Sequence, residues 1–135
     1  MSVAIDAPVS VGELIDKLTI LEIKLARFTD AGKRTNIAAE LTMLQAIAAR
    51  HGLDREERVA ELRAALKEIN EALWVIEEQI RHCEDTSDFG PSFVELARSV
   101  YRTNDERARI KHQINVVSGS ALVEEKSYDT SRSNF

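Results

Sequence analysis

The sequence predicts an all-α fold, an antiparallel four-helix bundle with one long helix at about residues 54–84. The chain of 135 residues contains only five glycines and two prolines, and its aromatic content is 5%. An all-β sandwich would need more turn residues and more aromatic or β-branched residues. Apolar residues make up 44% of the chain. They recur at spacings of three and four along four segments, which is the pattern of amphipathic helices.

The chain is long enough for one domain and short for two. We expect an irregular N-terminus at 1–9, a helical bundle domain at 10–118 and a C-terminal tail at 119–135. The connections between the helices are short, so helices that follow each other in sequence should lie antiparallel.

The first helix is expected to begin at Ser10 and to end near residue 29. Ser10 and Glu13 have the spacing of a capping box, in which the serine hydroxyl accepts a hydrogen bond from a main-chain amide. A second helix follows, with Asp30 as its N-cap and Gly52 just beyond its end. The apolar stripes are Leu14, Leu18, Leu21, Leu25 and Phe28 in the first helix, and Ile37, Leu41, Leu44 and Ala48 in the second.

The third helix has the most regular apolar pattern, over more than three heptads, which predicts a length of about 45 Å. Asp54 and Glu57 have capping-box spacing at its start. A fourth helix is expected over about residues 92–118, with Pro91 in its first turn and Gly119 at its end. The stripe of the third helix is Val59, Leu62, Leu66, Ile69, Leu73, Ile76, Ile80 and Cys83.

The unequal helix lengths predict that the third and fourth helices project beyond the first. Apolar residues on the projecting part need cover, and a second copy of the chain is the simplest cover. Ile20 and Ile23 lie off the leucine stripe of the first helix and add to this expectation. We therefore expect a homodimer.

Polar residues interrupt the apolar faces of three helices. Asn104, Arg107, Lys111 and Asn115 continue the inward face of the fourth helix at 100° per residue. Glu22 lies at the border of the first helix's stripe, and a simple up-down arrangement places it at the height of Lys111. A charge left unpaired there would cost several kcal/mol, so partners are expected. The candidate layer comprises Glu22, Asn70, Trp74, Glu77, Tyr101, Asn104, Arg107, Lys111 and Asn115.

Two interpretations of this layer remain open. In the first, it is a closed set of ion pairs and amide hydrogen bonds that fixes the helix register. In the second, it is a pocket in which Arg107 grips a small anion in a bidentate manner and Lys111 supplies a point charge. Asn70 and Asn104 would then orient the ligand, and Glu22 or Glu77 would act as a base or pair with the cations.

Several partner classes are disfavoured by the sequence. The formal charge is −5 and no basic block is present, which argues against nucleic-acid binding. Every stretch of 18 residues contains a charge, so we expect no membrane insertion. The N-terminus lacks the features of a secretion signal and Cys83 is the only cysteine, which favours a cytoplasmic location.

Known enzyme patterns fit poorly, and we assign no catalytic residue, metal or cofactor. Glu68 and Glu71 form one Glu-x-x-Glu, as in all-helical nucleotide pyrophosphatases, but the second carboxylate pair falls in a turn. The segment 15–18, Ile-Asp-Lys-Leu, is similar to the first helix of helical chorismate mutases. However, no arginine precedes it, and Arg27 is out of step with that family's second arginine.

The stretch from about Val9 to Tyr128 resembles a family of uncharacterised small bacterial proteins, domain of unknown function 6165. The helix Asn70–Glu77 is also similar to an Asn-x-x-Leu-Trp-x-x-Glu helix of another uncharacterised family. The resemblance implies an all-α fold, no established activity and a link to cell-surface polysaccharide or lipopolysaccharide synthesis. The residues that carry it lie in the blocks 12–24, 70–78, 101–107, 111–115 and 123–128.

We therefore expect a binding or assembly module that forms a homodimer. The alternative is a small enzyme or sensor that binds a phosphate, a carboxylate or a nucleotide sugar between its helices.

Overall fold

A computed structural model describes residues 2–127, and the helices in this range confirm the predicted all-α class. Residues 2–127 contain no strand. The elements are α1 (Val11–Arg27), α2 (Ala31–Arg50), a 3-10 turn (Leu53–Arg55), α3 (Glu57–Asp85) and α4 (Pro91–Ser118).

Most of the predicted helix ends are confirmed. The Ser10 hydroxyl accepts a hydrogen bond from the Glu13 amide at 3.0 Å, and Asp30 caps α2 in the same way. Gly52 and Gly119, which follow α2 and α4, both have φ of 69°. Glycine is favoured in this left-handed conformation because it carries no Cβ.

The predicted capping box at the start of α3 is wrong. Asp54 lies inside the 3-10 turn, and α3 begins at Glu57 without a side-chain cap. Leu53 is buried and joins the hydrophobic core. The 3-10 turn places Leu53 in the core, and α3 therefore begins at Glu57 instead of at Asp54.

The core is centred on α1, which packs against α2, α3 and α4. α3 and α4 form a long hairpin, and α2 packs against α1 and the 3-10 turn. Ile23 is buried within this single chain and does not need a second copy to cover it, whereas Ile20 is half-buried. The buried core comprises Leu14, Ile15, Leu18, Leu21, Ile37, Leu41, Ala48, Leu53, Val59, Leu62, Leu66, Ile110 and Ile114.

The α3–α4 hairpin is much longer than α1. With 17 residues α1 spans about 26 Å, whereas α3 and α4, with 29 and 28 residues, span about 43 Å. The apolar stripe of α3 is buried at Val59 and Leu66 but only half-buried at Leu73 and Ile80. We call the outer part of the hairpin, residues 71–102, the arm.

In the part of the chain that the structure describes, no helix is long and apolar enough to cross a membrane.

Candidate functional site

A buried carboxylate joins three helices at the base of the hairpin. Asp16 of α1 is 1% exposed. Asn70 Nδ2 of α3 donates to Asp16 Oδ1 at 2.8 Å. Arg107 of α4 donates from Nε to the same oxygen at 3.0 Å and from Nη2 to the other oxygen. This is the bidentate geometry in which an arginine fork best compensates a buried carboxylate.

The asparagine amide ties α3 to α1 a second time. Asn70 Nδ2 is 2.9 Å from Thr19 Oγ1, and the Thr19 hydroxyl donates to the main-chain oxygen of Asp16 at 2.8 Å. Thr19 is fully buried and Asn70 is 6% exposed. The packing of α1 on α3 is therefore specified by hydrogen bonds as well as by apolar contacts.

A second ion pair lies one turn towards the start of α1. Lys111 Nζ is 2.6 Å from Glu13 Oε2 and 3.8 Å from Asp16 Oδ2. The hydrogen bond to Asp16 and the charges of Asp16 and Glu13 raise the pKa of Arg107, although burial acts in the opposite direction. The two cations of α4 thus face two carboxylates of α1.

The start of α1 approaches α4 closely at Gly12. The Gly12 amide donates to Asn115 Oδ1 at 2.7 Å. A Cβ at Gly12 would lie 2.6 Å from the main-chain oxygen of Lys111. A glycine is required there because any side chain would push the two helices apart.

The C-terminal tail covers this end of the layer. Glu124 accepts hydrogen bonds from the Ser10 hydroxyl and, at 3.1 Å, from Asn115 Nδ2. Ser120 Oγ accepts from the Val11 amide at 3.1 Å. Burial alone would raise the pKa of Glu124, but the hydrogen bonds from Ser10 and Asn115 contribute to a net lowering.

Together these side chains form a closed set, which we call the polar layer. Within residues 2–127, every buried side-chain nitrogen and oxygen has a hydrogen-bond partner. The polar layer consists of Glu13, Asp16, Thr19, Asn70, Arg107, Lys111 and Asn115.

Four of the nine candidate residues meet in the polar layer, namely Asn70, Arg107, Lys111 and Asn115. The expected position of Glu22 is wrong. Glu22 contacts Arg63 and lies 3.0 Å from Lys67 on α3. Since α1 begins beside Asn115, Glu22 lies about two and a half turns further along α1 than Glu13, the residue that meets Lys111. Burial opposes ionisation of Glu22, but its two cationic partners lower its pKa.

The remaining four candidates lie outside the polar layer. Trp74 Nε1 donates to Glu78 at 2.6 Å, and the indole ring is 6.0 Å from the ring of Phe28. Tyr101 is 51% exposed. Glu77 is exposed and Asn104 is half-buried. Trp74, Glu77 and Tyr101 lie in the arm, and Asn104 lies next to its base.

Sequence reasoning missed the acidic half of the polar layer. Glu13 is predicted only as part of a capping box, and neither Asp16 nor Glu124 is among the candidate residues. Residues beside the leucine stripe are usually exposed on a helix packed on one side. They are buried here because α1 has neighbours on three sides.

The arm differs from the base because its apolar side chains are incompletely covered. Phe89 and Phe93 form an edge-to-face pair with centroids 5.4 Å apart near the hairpin turn. The apolar residues that remain half-buried in the arm are Leu73, Ile76, Ile80, Phe93, Leu96 and Val100.

An open groove of about 630 Å³ lies between the two helices near the arm's end. Cys83 and Leu96 are among its apolar lining residues, with Glu78, His82 and Glu95 at its sides. Nowhere in residues 2–127 do three or more histidine, cysteine, aspartate or glutamate side chains come together as a metal site.

Comparison with known proteins identifies the family and no activity. No curated protein and no solved structure matches the chain significantly. The model of a family of unknown function, DUF6165, matches residues 5–134. Because this match spans nearly the whole chain, including both the polar layer and the arm, the protein belongs to the DUF6165 family.

Proposed function

We propose that this protein is an assembly module that self-associates through the arm, forming a homodimer. The observation that carries the proposal is the change in burial along one continuous stripe of α3. Leu66 is fully buried, whereas Leu73 and Ile80, seven and fourteen residues further on, are half-buried, and the stripe is buried again only at Cys83. Residues seven apart lie on the same side of a helix, so within residues 2–127 the side of α3 that faces the core at the base has no covering helix in the arm.

The same change occurs on α4. Phe93, Val100 and Arg107 are seven residues apart, and Arg107 faces α1 through its contact with Asp16. Phe93 and Val100 therefore lie on the side that α1 would cover if it were longer. We call this surface the arm face and define it by Leu73, Ile80, Phe93, Ala97 and Val100.

The geometry favours this role over anion binding in the polar layer. The bidentate donors of Arg107 are already occupied by Asp16, and Lys111 contacts Glu13. An incoming phosphate would have to displace carboxylates of the same chain and leave one of them buried and unpaired. The cytoplasmic location and the link to polysaccharide synthesis stay predictions.

The proposal is tested by measuring mass in solution. Light scattering coupled to size exclusion should give about twice the 15.1 kDa of one chain. The double variant Leu73→Gln, Val100→Gln should run as a single chain with unchanged helical content. Leu73 and Val100 are half-buried. The glutamine side chains that replace them can therefore contact water, and the single chain should still fold.

Val116→Gln is the matched control, because Val116 is exposed on α4 outside the arm. This variant should keep the wild-type mass. A wild-type protein of 15.1 kDa at all concentrations up to several hundred micromolar would contradict the proposal.

A further inference from the structure

We infer that two copies pair with their arms antiparallel, so that the acidic end of each arm meets a cationic turn of the other copy. This inference rests on the proposed self-association through the arm face. It adds the orientation of the pair and the residues that specify it.

The acidic end, residues 77–95, carries an excess of negative charge, although Glu95 is paired with Arg98 and Arg102, and Glu78 with Arg27. It contains six carboxylates and one basic residue, Arg81, and therefore accounts for the whole formal charge of −5. The rest of the chain has seventeen acidic and seventeen basic residues. The six carboxylates are Glu77, Glu78, Glu84, Asp85, Asp88 and Glu95.

The cationic turn, residues 24–34, joins α1 to α2. It contains four basic residues and one acidic residue, Asp30, whose carboxylate is engaged as the cap of α2. The basic residues are Lys24, Arg27, Lys33 and Arg34, of which Arg34 donates to the main-chain oxygens of Leu25 and Phe28.

The cationic turn lies at the base of the arm. Phe28 is 6.0 Å from Trp74, centroid to centroid, and Arg27 lies 3.5 Å from Glu78. From Trp74 to the end of α3 at Asp85 the helix rises about 17 Å. The arm face therefore has positive charge at one end and negative charge at the other.

This polarity distinguishes the two ways in which the arms can pair. A two-fold axis perpendicular to the arms places each acidic end beside the cationic turn of the other copy, so both ends match at once. A two-fold axis parallel to the arms would instead place the acidic ends of the two copies side by side, and their cationic turns side by side. Juxtaposed like charges disfavour the second arrangement.

Most of the charged groups are accessible for such pairing, since Lys33, Glu84 and Asp85 are exposed and Lys24 is half-buried. The side chains of Arg27 and Glu78 are 38% and 60% exposed although they contact each other. Exposed ion pairs contribute little individually. The arm face should therefore supply most of the affinity, and the charges should select the orientation.

Charge reversal at each end tests the inference. The variant Glu84→Lys, Asp85→Lys and the variant Lys24→Glu, Lys33→Glu should each weaken dimerisation about tenfold or more at low salt. The quadruple variant that combines them should regain most of the wild-type affinity, because its ends are complementary again. Sedimentation velocity over a concentration series measures all four dissociation constants.

Control variants change charge by the same amount elsewhere. Glu56→Lys, Glu57→Lys and Arg50→Glu, Arg55→Glu alter exposed residues near the start of α3 and the end of α2, and both should dimerise as the wild type does. Circular dichroism confirms that each variant is folded.

The outcomes separate the two proposals. If the Leu73→Gln, Val100→Gln variant is monomeric but reversing either end leaves the dissociation constant unchanged, self-association stands and the antiparallel orientation is overturned. A monomeric wild type overturns both. If each charge reversal weakens dimerisation but the quadruple variant does not regain affinity, the antiparallel orientation is also overturned.

Discussion

The polar layer, where α1 meets the base of the α3–α4 hairpin, and the arm face, further along the same hairpin, differ in where their side chains find partners. Asp16, Asn70 and Arg107 bind one another within the chain. The apolar residues of the arm, such as Leu73 and Val100, stay half-covered although they continue the same helical stripes. A buried polar contact is costly when incomplete, whereas an incomplete apolar contact can be completed by association. The base of the hairpin is thus stabilised within the chain, whereas the arm leaves apolar side chains half-covered, which is what the proposed self-association requires.

The largest effect should follow from breaking the polar layer at its centre. Asp16→Ala removes the carboxylate that compensates Arg107 and accepts from Asn70, so we expect a loss of about 3–5 kcal/mol in the free energy of unfolding. Urea unfolding followed by circular dichroism measures it. The paired variant Asp16→Leu, Arg107→Met should be considerably less destabilised. If Asp16→Ala alone costs under 1 kcal/mol, the layer does not hold the helices together.

A matched pair on α3 compares the base with the arm directly. Leu66→Ala removes a side chain that is fully buried within the chain, and should cost about 2–5 kcal/mol. Leu73→Ala, one heptad later, should cost the single chain about 1 kcal/mol because the side chain is only half-buried. Its larger effect should be on the dimer dissociation constant. Equal losses of unfolding free energy at low concentration would show that the arm is covered within one chain.

The smallest effect concerns the tail at the edge of the polar layer. The pKa of Glu124 is lowered in the folded protein. The ionised carboxylate therefore stabilises the folded state above the unfolded pKa of 4.5, and this stabilisation is lost as the pH falls through the lower pKa of the folded state. We expect the tail to detach in this acidic range. The Val11 amide donates to Ser120 in the tail, so detachment of the tail removes its hydrogen-bond partner. Hydrogen exchange at the Val11 amide should then become faster relative to the intrinsic rate at that pH.

Glu124→Gln should detach the tail at neutral pH as well, because its amide offers one acceptor where the carboxylate offers two. Exchange at the Gly12 amide, which is bonded to Asn115 Oδ1, is the internal reference and should change less. Unchanged Val11 exchange in Glu124→Gln at pH 7 would contradict a role for this carboxylate in holding the tail.

Sequence reasoning succeeded where local chemistry decides the outcome. Ser10 and Asp30 cap helices because a short polar side chain at that position satisfies amides of its own helix. The inward positions of Asn70, Arg107, Lys111 and Asn115 follow from the 3.6-residue period alone. The projecting arm follows from comparing helix lengths. The start of α3 was misplaced because the burial of Leu53 depends on the distant core.

The sequence by itself determined which residues form helices and which sides of α3 and α4 face the core. It also determined that the α3–α4 hairpin is longer than α1. The tertiary structure alone decided that Asp16 and Glu13, and not Glu22, meet the cations of α4. Helical periodicity specifies the buried side of a helix, but sliding one helix along another by two or three turns leaves that periodicity unchanged. Only the close contact of Gly12 with α4 and the partners available at each height select the register.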